Sequence, residues 1–134
     1  SDLNYPQLVR SFNASVARLV EMGHFLVIDN AMDRTEQAID LLERVQSYSI
    51  LLVGVHCSLE ELNRRERHRQ DRTIGAAAAK FNRVHRGFVY DVEVDSSIKG
   101  PSELAAEIMD YINRVDVLRG RDKTMTNIRT LNRE

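Results

Sequence analysis

Residues 50–61 read Ile50-Leu51-Leu52-Val53-Gly54-Val55-His56-Cys57-Ser58-Leu59-Glu60-Glu61. Apart from Gly54 the first six are apolar, and three of them are β-branched. An apolar run this short, set between helical patterns, predicts a strand. Ser58 to Glu61 is a capping box, in which the serine oxygen and the glutamate three residues later satisfy each other's backbone N–H groups. A helix therefore opens at Leu59. Strand followed at once by helix, in a chain that alternates the two, points to an α/β layered domain.

Upstream, the spacing of Leu8, Phe12, Val16, Leu19 and Val20 predicts a helix from about Tyr5 to Met22, with Pro6 in its first turn and Gly23 at its end. Phe25-Leu26-Val27-Ile28-Asp29 reads as a second strand, buried on both faces. Asp33 with Glu36 marks the next helix start, with Ala38, Leu41, Leu42 and Val45 facing inward. Downstream, the helix from Leu59 to Arg69 turns strongly basic. Helical patterning resumes after Gly75 through four alanines to Lys80, Phe81, Val84 and His85. A third strand is expected over Tyr90–Asp95. Gly100-Pro101-Ser102 opens a last helix, with Leu104, Ile108, Tyr111 and Ile112 on its apolar face. Residues 1–114 thus read as one domain with a basic lid at about 64–75. Residues 115–134 read as a polar tail, helical or disordered.

Composition narrows the classes. The chain has 134 residues, 43% hydrophobic and 29% charged, which suits one globular domain with a real core. Nineteen basic and twenty acidic residues leave a net charge of −1, so bulk attraction to nucleic acid or anionic membrane is not implied. The lone Cys57 excludes an internal disulfide and a multi-cysteine zinc site, and reads as a small buried hydrophobe. No apolar run reaches the length of a membrane span and no signal peptide opens the chain. The expectation is a cytoplasmic protein.

The even balance hides a local excess. Between Arg64 and Arg86 eight basic residues face only Glu66 and Asp71, a net of +6 in a remainder that is acidic. Guanidinium forks clamp phosphate oxygens bidentately, so this segment suits a phosphate-binding lid. The plainer reading is a solvated helix face with i,i+4 pairs, such as Glu61 with Arg65. An RNA-binding stripe lacks interleaved aromatics, since only Phe81 lies within it. Asp29-Asn30 ends a predicted strand, where parallel sheets bind ligands, and there a carboxylate can hold magnesium-bound water or a substrate hydroxyl. Asp and Asn are equally good turn residues. His56, after the second strand, can meet a substrate or serve structure. Asp95, Ser96 and Ser97 either bond their own backbone or face a nucleotide base.

Taken in order, Asp29-Asn30, Gly54-Val55-His56-Cys57, Arg65-Glu66, Arg69-Gln70-Asp71-Arg72, Gly75, Val84-His85 and Tyr90-Asp91-Val92-Glu93-Val94-Asp95-Ser96 resemble the chloramphenicol phosphotransferase family of P-loop kinases. The resemblance spans roughly Phe12 to Ile112 and departs at Asn30, Gln70 and Ser96. It implies a three-layer P-loop kinase-like fold on a parallel sheet and an ATP-dependent transfer of phosphate to a hydroxyl of a small molecule, with ATP and Mg2+ as cofactors. By position, Arg69 and Arg72 are implied to embrace the ATP phosphates and act in catalysis, with Arg65 in support. Asp29 is implied near the magnesium and the acceptor, Asn30 and His56 on the acceptor side, and Asp95 and Ser96 near the adenine.

One part of the pattern is missing. No G-x-x-x-x-G-K-[ST] loop occurs in the 134 residues, and the family's first strand, its P-loop and its general base all belong before Ser1. That strand lies centrally, between the partners of Phe25–Asp29 and Ile50–Val55. The expectations are therefore a sheet with a vacant central lane and a protein active only when a P-loop segment, upstream or on a second polypeptide, completes it. The alternative is a catalytically incomplete binding or regulatory module, or one half of a two-chain assembly.

Overall fold

The structure, a computed structural model, describes residues 4–32, 34–69 and 73–132. Its elements are α1 (Tyr5–Glu21), α2 (Thr35–Arg44), β1 (Val53–His56), α3 (Leu59–His68), α4 (Ala76–Phe81), β2 (Val92–Asp95), α5 (Pro101–Arg114) and α6 (Gly120–Leu131). β1 and β2 form a parallel two-stranded sheet in the register Val53↔Val92 to His56↔Asp95. The fold is mixed α/β, with α3 and α4 making the crossover between the strands.

α2 is the centre of the packing. Its Ala38, Leu41 and Leu42 are buried. Leu41 joins Val16 and Val45 in one cluster, against which Leu26 and Met32 pack. Leu42 joins Leu52 and Met125 in a second, flanked by Phe88 and Tyr90, and Ile50 touches both. α1 is pinned to α2 by the buried Asn13, whose Nδ2 donates to Gln37 O at 3.2 Å and Asp40 Oδ2 at 2.8 Å. Residues 120–131 form a helix whose Thr124, Met125 and Ile128 are buried. Thr124 Oγ1 accepts from Val89 N at 2.8 Å and donates to Val89 O at 3.1 Å.

The structure corrects several expectations. Phe25–Asp29 forms no regular strand and lies outside the sheet. Phe25 and Val27 are 93% and 90% exposed, and only Leu26 packs inward. An apolar run becomes a strand only where another backbone pairs with it, and none of the described residues does so here. β1 starts at Val53 rather than Ile50, because its pairing partner changes below that point. There Leu52 N donates to the Asp91 side chain, Oδ2 at 2.9 Å, while Leu52 O accepts from Asp91 N at 2.9 Å. His56 is consequently the last strand residue, not the first after it. β2 starts at Val92 rather than Tyr90 for the same reason. α4 ends at Phe81, and residues 82–87 run as turns to Gly87. Cys57 is half-buried rather than buried. Asp33, expected to cap α2, lies outside the described residues; the N-cap of α2 is Arg34, without a side-chain cap bond.

Asp91 joins three elements. Besides Leu52 N, its carboxylate accepts from Arg119 N and Gly120 N, both at 2.8 Å, and so caps α6. Gly120 has to be glycine at this contact, because a Cβ there would lie 2.6 Å from Asp91 Oδ2 and 2.9 Å from Val89 O. Removing the carboxylate strands three backbone donors, at about 1 kcal/mol or more apiece. Asp91→Ala is therefore expected to lower the urea-unfolding free energy by about 3 kcal/mol, with Asp91→Asn losing roughly half as much. An Asp91→Ala protein with unchanged stability contradicts this role.

Candidate functional site

In a parallel sheet the loops that follow the strands gather at one end, and ligands bind there. Here the loops after β1 and β2 are bonded to each other. Ser96 N and Ser96 Oγ both donate to His56 O, at 2.8 and 3.0 Å. Ser58 N donates to Ser97 Oγ at 2.8 Å. Ser97 N donates to Asp95 Oδ1 at 2.7 Å, and the Ser97 contacts hold the Asp95 carboxyl below the usual carboxylate range. Asp95 thus bonds its own loop, one of the two roles open to it from the sequence.

The basic helix α3 is fastened to the same loop. Ser58 Oγ accepts from Glu61 N at 3.2 Å and caps α3, but the reciprocal half of the predicted capping box is not made, because Ser58 N goes to Ser97 Oγ and the Glu61 carboxylate to Arg64 and Arg65. Arg65 then reaches across: Nη1 donates to Ser96 Oγ at 3.3 Å and Nη2 to Ser96 O. Glu61 steadies this arm by accepting from Arg65 Nε at 2.7 Å and from Arg64 Nε and Nη2 at 2.7 and 2.8 Å. Those guanidinium bonds, Arg64 first, pull the Glu61 carboxyl down to about 2. Arg65 and Ser96, assigned separately from the sequence, are in contact.

Arg69 is the C-cap of α3, exposed, in extended backbone. Arg72 lies outside the described residues. Glu66, which carries no assigned role in the sequence, holds the residues that open α4. Its buried carboxylate accepts from Gly75 N at 2.7 Å and Ala77 N at 3.0 Å. The available signal was helical spacing, since Leu62 and Glu66 share the inner face of α3.

Asp29 and Asn30 are exposed on the extended segment after α1, not at the end of a paired strand. Asn30 Oδ1 accepts from Met32 N at 3.1 Å, a turn that holds Met32 at a φ of 42°. Among the described residues no group of three or more His, Cys, Asp or Glu is arranged to hold a metal ion. A lone carboxylate such as Asp29 suits magnesium only in its usual manner, with waters and substrate phosphates completing the shell.

His56 is not isolated. The register puts Gly54, His56, Glu93 and Asp95 on one face of the sheet. His56 Nε2 lies 2.8 Å from Glu93 Oε1, and its ring centroid is 4.2 Å from that of His85. His85 Nδ1 is 2.6 Å from the Tyr90 hydroxyl. The Tyr90 ring lies so close over Gly54 that a Cβ there would be 2.5 Å from Tyr90 Cδ2. Burial, then the Glu93 charge, push the Tyr90 phenol up to about 12. Burial, then His56, lower the pKa of His85, against a smaller opposing pull from Glu93. Glu93 and His85 stand in the family pattern without a role, because their proximity to His56 follows from strand register and a turn, not from spacing along the chain.

A histidine whose folded pKa is depressed favours the folded state above its unfolded value, near 6.5, and this contribution is lost as pH falls through the folded pKa. Urea-unfolding free energies measured from pH 8 to pH 5 are thus expected to drop more steeply in the wild type than in His85→Gln, with the divergence beginning below about 6.5. Parallel curves for the two proteins contradict the assignment.

Residues 2–113 match the family model for chloramphenicol phosphotransferase-like proteins. Two curated proteins of Mycobacterium tuberculosis, from strains CDC 1551 / Oshkosh and ATCC 25618 / H37Rv and named "Putative O-phosphotransferase MT2714" and "Putative O-phosphotransferase Rv2636", are each 30% identical over 94 residues. That alignment covers 70% of this chain and 42% of each relative, so the chain spans well under half of their length. No solved structure matches. The family match runs from α1 through β2 and nearly all of α5, taking in every loop of the site, and the chain belongs to the chloramphenicol phosphotransferase-like family.

Proposed function

We propose that this chain takes part in an ATP-dependent O-phosphotransferase, a kinase that moves the γ-phosphoryl group of MgATP to a hydroxyl of a small molecule. The observation that carries the reading is the Arg65–Ser96 contact, which fastens the basic helix over the C-terminal ends of β1 and β2. Transfer of a phosphoryl group is catalysed largely by positioning and by cations around its oxygens. In this reading Arg69 and Arg72 embrace the triphosphate, Arg65 orients α3, and the Asp95–Ser96 loop borders the adenine. Asp29 holds magnesium-bound water near the acceptor, with Asn30 beside it. His56 lines the acceptor side through the edge of its ring, since Nε2 is engaged by Glu93.

The phosphate cradle has to come from a P-loop strand that these 134 residues do not contain. Two features support a lane for it. β1 has one edge with no strand on it among the described residues, and the apolar segment 25–28 is unpaired, with Phe25 and Val27 exposed. A central strand inserted there would pair β1 on one side and segment 25–29 on the other, restoring the three-layer P-loop kinase sheet. Among the described residues no helix is long and apolar enough to cross a membrane, and we place the reaction in the cytoplasm, where ATP is at hand. The second reading, a binding or regulatory module without catalysis, is favoured by the missing G-x-x-x-x-G-K-[ST] loop alone.

The test supplies an upstream strand and P-loop, fused or added in trans, and follows transfer from γ-labelled ATP to a panel of small alcohols. The expected outcome is magnesium-dependent transfer that the 134-residue chain alone does not perform, falling on the order of a hundredfold in Arg69→Ala with folding intact. No transfer to any acceptor, or full turnover in Arg69→Ala, favours the binding module instead.

A further inference from the structure

A cavity of about 260 Å³ opens between the start of α2, the turns after α4 and the end of α6. Its lining comes from three segments: Met32, Arg34 and Thr35, then Arg83 and Arg86, then Leu131 and Asn132. Three arginines therefore line one space, and among the described residues Glu36 is the one acid with them. Seven other described arginines are ion-paired, Arg18 with Glu21, Arg44 with Asp40, Arg64 and Arg65 with Glu61, Arg114 with Asp110, Arg121 with Asp122 and Arg129 with Glu43, whereas Arg10, Arg67, Arg69 and Arg119 stand singly along the chain. Arg83 and Arg86 make no ion pair among the described residues, and Arg34 only lies over the Tyr5 ring, at 5.9 Å. Three like charges around one cavity repel unless an anion joins them.

We infer that this cavity is a binding site for a phosphate group carried by a small molecule. A phosphate dianion offers oxygens to several guanidinium forks at once, which a singly charged carboxylate does less well. The volume exceeds the ~30 Å³ share of a water molecule several times over, leaving room for a phosphate and a short organic stem. The lining continues into the acceptor side, because Met32 is held at its positive φ by the Asn30 side chain. The third segment belongs to α6, which lies beyond the residues matched by the family model, so the site is not one that the family pattern accounts for. That its ligand is the acceptor, entering phosphate-first with its hydroxyl toward Asp29, rests on the kinase reading; binding of phosphate does not.

The site is tested on the 134-residue chain with inorganic phosphate as the probe, at constant ionic strength and without nucleotide or magnesium. Arginine Nε and backbone amide NMR signals are followed. Saturable shifts are expected at Arg34, Arg83, Arg86, Thr35 and Glu36. Arg83→Ala/Arg86→Ala, which alters only exposed side chains, is expected to weaken binding about tenfold or more, and Glu36→Gln to tighten it, while Arg114→Ala changes nothing. Acetate is expected to bind at least tenfold more weakly than phosphate. Non-saturating shifts, saturation centred on Arg64–Arg69, an unaffected double variant, or acetate binding as tightly as phosphate would each overturn the proposal. Phosphate binding that persists where the completed protein transfers no phosphoryl group separates this site from the kinase reading: the site stands and that reading falls.

Discussion

The parallel pairing of β1 with β2 is fastened at both ends by side chains, and the rest of the molecule is arranged around it. At the lower end the Asp91 carboxylate accepts from Leu52, Arg119 and Gly120, fixing where pairing begins and docking α6. At the upper end Ser96 bonds His56 O and receives Arg65, fixing where the strands stop and where the basic helix lies. A two-stranded sheet is marginal by itself. Here it gains support from α2 and α6, whose buried Leu42 and Met125 pack with Leu52, and from the buried Val94 of β2.

What local sequence could show, it showed well. Capping by the Ser58 hydroxyl and the apolar stripe of α2 each depend on neighbours within a few residues, and each appears in the structure, while the apolar run before His56 is a strand only from Val53. Phe25–Asp29 carries the same local signal as β1 yet stays unpaired, because strand formation is decided by the backbone alongside. Asp91, Glu66 and Glu93 belong to the family pattern, but their contacts are not legible from it, because their partners lie 9 to 39 residues away. α6 reads as polar along its length, and its burial rests on Thr124, Met125 and Ile128 alone.

The site divides in the same way. Arg65 and Ser96 were marked from the family pattern and meet in space, whereas the contact that makes the pairing physical, a guanidinium bonded to a loop carbonyl and hydroxyl, could only come from the fold. His56, a lone histidine in the sequence, is one member of a group of contacting rings and hydrogen bonds with His85, Tyr90 and Glu93. Asn30 takes the turn role that competed with its functional one. The charge excess between Arg64 and Arg86 also splits. In its first part Arg64 and Arg65 share Glu61 and Arg65 is tied to the strand ends, while Arg83 and Arg86 line a separate cavity.

The central claim is that the strand ends, Arg65 and the basic helix together form the triphosphate side of a phosphotransfer site. The most direct measurement is a crystal structure of the P-loop-completed protein with magnesium and a non-hydrolysable ATP analogue. The account predicts the β- and γ-phosphates within hydrogen-bond reach of Arg69, with the adenine against the loop of Asp95, Ser96 and Ser97. A nucleotide bound away from that loop, with Arg69 turned to solvent, would contradict it.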